Sequence, residues 1–147
     1  MTTHDYAILI LKKSMGQETG YFGLHAVAAG EEGLLEDKEI YVRGYPEIEM
    51  KEENLVRFEQ WETKGRVVEL DGKKGLFYHS SNAYPGLDGS AVYYRNDKNS
   101  FCVIGVHVDN NKDTSKACWI TKEEWQKFYR REKCESIIQS KNDENDI

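Results

Sequence analysis

Apolar positions along this chain fall in short runs, broken by glycine, proline and clusters of charge. The run Asp5–Leu11 (DYAILIL) is apolar at consecutive positions and ends at Lys12-Lys13, the pattern of a strand buried on both faces. Gly16, Gly20 and Gly23 follow as turn signals, and residues 26–38 are mixed and acidic, a loop. EIYVRG alternates from Glu39 and predicts a strand stopping at Gly44-Tyr45-Pro46, because proline has no N–H for a central ladder. Residues 54–81 are rich in strand formers. Gly65 inside them marks a bulge or tight bend, and Asp71-Gly72 is a hairpin turn. Residues 90–108 read as a hairpin whose polar loop is Arg95 to Ser100, and ACWI (117–120) as a last short strand.

The period changes after Ile120. Thr121 and Glu124 match the Ser/Thr-x-x-Glu capping box, with Ile120 and Trp125 placed for a hydrophobic staple. Trp125, Phe128 and Tyr129 then share one helical face, which predicts a helix from about Lys122 to about Ile138. The expected class is all-β, several short antiparallel strands closing a barrel or sandwich, with one C-terminal α-helix. Residues 139–147 form a charged tail expected to be disordered.

With 147 residues, 39% of them hydrophobic and 12% aromatic, the chain can bury a core of its own. The net charge of −6 and the lack of a basic cluster argue against a nucleic-acid partner. No apolar run approaches the roughly 20 residues of a membrane span. The start of the sequence lacks a basic leader, so the expectation is an intracellular (cytoplasmic) protein. Cys102, Cys118 and Cys134 are odd in number and widely spaced, which fits reduced, buried thiols. His4, His25 and His79 show no metal-ligand spacing, and neither a metal nor a cofactor is expected. Trp61, Trp119 and Trp125 are read as core residues.

Five stretches in order then carry a resemblance: DYAILIL, GYFGL (20–24), YVRGYP (41–46), WETKGRVVEL (61–70) and YPGLDGSAVYY with VIGVHV (84–94, 103–108). Together they resemble the trypsin-like serine peptidases of the chymotrypsin fold (the PA clan), closest to the bacterial glutamyl endopeptidase branch. The resemblance implies an antiparallel β-barrel like the second barrel of that fold. It divides the chain into residues 1–25, a remnant of the first barrel's end (strand Asp5–Leu11) with a linker, and residues 26–138, the second barrel with its helix.

The family loop Gly-Asn-Ser-Gly-Ser-Pro-Val corresponds to Gly86-Leu87-Asp88-Gly89-Ser90-Ala91-Val92. The resemblance places the triad aspartate at Asp5 and the nucleophile at Asp88, where a carboxylate replaces the serine. Ser90 takes the family's second, non-catalytic serine position. The segment that bears the catalytic histidine precedes the triad aspartate and has no counterpart in this sequence. Residues 86–90 thus read as a degenerate oxyanion loop. Asp88 is expected to fold back onto the N–H groups of Gly86 and Asp88. The family's pocket for a glutamate side chain maps to Ala83, His107 and Asp109, and is also degenerate, since Ala83 replaces a hydroxyl residue and Asp109 would repel an acid.

A triad needs a hydroxyl, an imidazole to take its proton and a carboxylate to orient the imidazole. The resemblance therefore implies a non-catalytic homologue, a pseudoenzyme, acting as a binding or structural subunit of a complex. A protein partner or a second copy is expected over the face where the first barrel would sit. Two alternatives stand beside it: the C-terminal piece of a split or processed endopeptidase completed by another chain, and an unrelated β-barrel interaction domain.

Overall fold

The computed structural model describes residues 6–50, 55–57, 59–82, 84–110 and 114–129. Its frame is a closed antiparallel barrel of six strands: β2 (Glu39–Gly44), β5 (Trp61–Asp71), β6 (Leu76–His79), β7 (Ala91–Arg95), β8 (Phe101–Asn110) and β9 (Ser115–Trp119). The strands run in the order β8-β7-β2-β5-β6-β9, and β9 returns to β8 to close the ring. A two-residue strand β1 (Gly23–Leu24) adds to β8 in parallel, while β3 (Ile48–Met50) and β4 (Leu55–Arg57) form a separate hairpin.

Alternation sets the inside of the barrel. On β2, Ile40 and Val42 are fully buried, whereas Glu39, Tyr41 and Arg43 face outward. Ile40 and Val42 join Val67, Phe77, Val92, Ile104, Ala117 and Trp119 in the core, with Val27 and Leu35 from the stretch before β2 closing one end. A second cluster lies on the outer wall. Tyr93 stacks on Tyr41 at 5.6 Å and meets Phe22 and Phe101 at 5.0 and 5.6 Å. Its hydroxyl donates to the Glu62 carboxylate. Phe22 thereby fastens the N-terminal segment to the barrel.

β5 is long because it serves two neighbours. Residues 61–66 pair with β2 and residues 67–71 with β6. A bulge between Val67 and Glu69 turns the strand at that change of partner. Gly65, expected at a bulge or bend, lies instead in regular register opposite Ile40. Its lack of a side chain is required by Ser80 and Ser81, whose backbone crosses where a Cβ would sit. The Asp71 hairpin forms as expected: the Lys74 N–H donates to both the carbonyl and the carboxylate of Asp71.

The helix α2 runs over the described residues 122–129. Its capping box is made in full. Thr121 N–H and Oγ1 donate to Glu124 Oε2 at 3.2 and 2.8 Å, and Glu124 N–H returns to Thr121 Oγ1 at 3.2 Å. The rest of the expected helix, Cys134 and the charged tail lie outside the described residues. Among those described, no helix is long and apolar enough to cross a membrane.

The N-terminal segment departs from expectation. Residues 6–11 form no strand, and Ile8, Leu9, Ile10 and Leu11 are 43 to 86% exposed. An apolar run signals what a strand would need, two flanking strands and two covered faces, but supplies neither. Tyr6 tethers it by donating to Glu124 Oε2 at 2.8 Å, and a single-turn helix α1 (Gly16–Thr19) follows. Two of the tryptophans also differ: Trp119 is in the core, but Trp61 and Trp125 are more than a third exposed.

Candidate functional site

Residues 84–90 make two successive tight turns. Leu87 N–H donates to Tyr84 O and Ser90 N–H to Leu87 O. Gly86 and Gly89 hold φ of 87° and 83°, a region that disfavours side chains. Leu87 is buried and plugs the loop onto the barrel end. The loop is clasped on both sides: Glu47 N–H donates to Pro85 O at 3.0 Å, Gly89 N–H to His107 O at 2.8 Å, and His107 N–H to Ser90 O at 2.9 Å. Ser90 lies over Gly44, its hydroxyl filling the place of the side chain that Gly44 lacks.

Asp88 stands at the tip between the two turns. Its side chain is 69% exposed, and Oδ1 lies 3.8 Å from Nε2 of the fully buried His107. It makes no hydrogen bond to a backbone N–H among the described residues, contrary to the fold-back expected from the sequence. The reason is local: an exposed carboxylate keeps its hydration at no cost.

Behind Asp88 a row of polar side chains runs into the barrel. His107 Nδ1 is 3.4 Å from His79 Nε2, the rings meeting edge to face at 5.5 Å. His79 Nδ1 shares a 2.7 Å hydrogen bond with Ser81 Oγ, and Ser115 Oγ donates to Ser81 O at 3.0 Å. All four residues are buried. Burial, with the second imidazole beside it, lowers the His79 pKa to about 4, so His79 is neutral at neutral pH.

Of the residues singled out from the sequence, the structure brings together Gly86, Leu87, Asp88, Gly89, Ser90 and His107. Asp109 is turned to Lys116, 3.1 Å away, beyond a bulge between His107 and Asp109. Asp5 and Ala83 lie outside the described residues. The sequence reading missed His79 and Ser81 as neighbours of His107. The signal was present: in LFYHSS, His79 shares the parity of the core residue Phe77 and so faces inward. Among the described residues no three His, Cys, Asp or Glu side chains group as metal ligands.

No family model matches the sequence, and no curated protein is significantly similar to it. Among solved structures the chain is similar to a Glu endopeptidase in complex with MPD, at a TM-score of 0.60 and 22% identity over 82% of this chain. The match covers 51% of that structure's chain, so this chain spans about half its length. The six-stranded ring, the helix after it and this likeness together make the fold a chymotrypsin-like barrel.

Proposed function

We propose that this chain is a non-catalytic relative of the trypsin-like serine peptidases, acting as a binding or structural subunit of a larger assembly. The observation that carries the reading is the tip of the 86–90 loop. A carboxylate, Asp88, projects from the turn that the sequence resemblance aligns with the family's serine loop, and the buried His107 imidazole lies 3.8 Å from it. Acyl transfer needs an accessible hydroxyl within reach of a base. Ser90 is packed over Gly44, and Ser81, though bonded to His79, is only 3% exposed.

The assembly part of the reading rests on the exposed aliphatic stretch Ile8–Leu11 together with Met15, Tyr21, Phe22 and Leu24. Large apolar side chains exposed in such number along one segment favour an interface. Burying each such side chain contributes roughly 1.5–3 kcal/mol, enough for a few to hold a partner. Another protein or a second copy would cover it.

The test is fluorophosphonate labelling of the protein in its native assembly, with native mass spectrometry of the same sample. The expected outcome is no labelling and a defined mass above that of one chain. Labelling at Ser81 or Ser90 would restore a peptidase reading, and a stable monomer would remove the assembly.

A further inference from the structure

A second site lies away from the 86–90 loop, in a cleft of about 190 Å³ between the stretch before β2, the β5–β6 turn and the start of α2. Backbone bonds fix its walls. Val27 N–H donates to Ile120 O, Lys122 N–H to Val27 O, and Trp119 N–H to Gly75 O. Val27, Ala29 and the Trp119 ring make its apolar lining. Glu32 from one wall and Glu123 from the other bring two carboxylates to it. Neither is engaged in an ion pair among the described residues.

Trp119 supplies the independent observation. The residue is 4% exposed, yet its indole N–H makes no hydrogen bond among the described residues. It borders the cleft beside Gly75, whose φ of 67° excludes a side chain that would close the opening. With no acceptor among the described residues, the N–H is left to water in the cleft, and an occupant offering an oxygen there would take that place.

We propose that this cleft binds a lysine or arginine residue of an extended segment on a protein partner. Each part of such a residue finds its complement. The methylene stem lies on Val27 and Ala29, as long basic side chains do on apolar surface. The cation is placed between Glu32 and Glu123. The main-chain carbonyl accepts the Trp119 N–H. The chain's own Lys74, between the lining residues Gly72 and Gly75 in sequence, is held by Asp71 at 3.1 Å. The net charge of −6 draws a basic partner toward the molecule.

The test follows the Trp119 indole N–H by NMR while acetyl-Gly-Arg-Gly-amide, acetyl-Gly-Lys-Gly-amide or the neutral acetyl-Gly-norleucine-Gly-amide is added. The expected result is a saturable shift with the two basic peptides and binding at least tenfold weaker with norleucine. The E32Q/E123Q variant should weaken the basic peptides to the norleucine level. The unchanged indole signals of Trp61 and Trp125 would show that its fold is intact. No saturable shift, an equal response to norleucine, or full binding by E32Q/E123Q would each overturn the site. These outcomes are independent of whether the 86–90 loop is catalytic.

Discussion

The pair of imidazoles inside the barrel ties stability to pH. His79 titrates near 6.5 when unfolded and near 4 here. Between those values the unfolded chain takes up a proton that the folded one refuses. Stability therefore falls as pH drops from about 6.5 to about 4, by on the order of 3 kcal/mol, and this contribution is level below that. The groups that face His79 are His107, Ser81 and the Phe77 ring, with Asp88 one imidazole further out. Urea unfolding of His79→Gln should show a flatter profile in this window than the parent protein; an unchanged slope would assign the loss to other groups. Gly65 is the other position where one side chain decides. Gly65→Ala would drive a methyl into the Ser80–Ser81 backbone, which has no rotamer to move, and should cost about 1–3 kcal/mol in the same assay. The 86–90 loop could be read from sequence because glycines and Asp88 sit at fixed spacing. The row behind it could not, because His79 and Ser81 reach His107 only through barrel closure.

Elements were readable where their cause is local. The start of α2 rests on Thr121 and Glu124, three residues apart, and the hairpin turns rest on Asp71-Gly72 and on Asn96, whose side chain accepts from Lys98 and Ser100 N–H. Thr121→Ala should destabilise the fold by about 1 kcal/mol in thermal or urea unfolding. Glu124 also accepts from the Tyr6 hydroxyl, whose pKa is raised by burial and by that carboxylate. Tyr6→Phe and Thr121→Ala should therefore be non-additive, whereas additive losses would mean the cap and the tether act separately. The stretch Asp5–Leu11 misled for the opposite reason: hydrophobicity reports a demand for burial, and no described strand lies beside residues 6–11 to meet it. The bulges in β5 and after His107 were equally unreadable, since register depends on which strand is opposite.

The molecule as a whole presents an ordered barrel with an aliphatic stretch on its outside. Leu9→Glu with Leu11→Glu should leave the barrel's unfolding midpoint within about 0.5 kcal/mol of the parent, as for exposed positions generally. The same change should shift the native mass of the proposed assembly to that of a single chain; an unmoved mass would count against a contact on this face. Strand β9 carries a further consequence. It lies between β6 and β8 and, at Ser115–Trp119, is the last strand among the described residues. Before it, β2 must already find β7, with Tyr41 opposite Tyr93 about fifty residues later. A chain emerging from the ribosome thus holds β6 and most of β8 as open sheet edges until β9 is free. Such distant pairing slows folding, and open edges invite other strands. Synthesis halted before Ser115 should yield not a smaller folded unit but a species that seeks a strand from a neighbour.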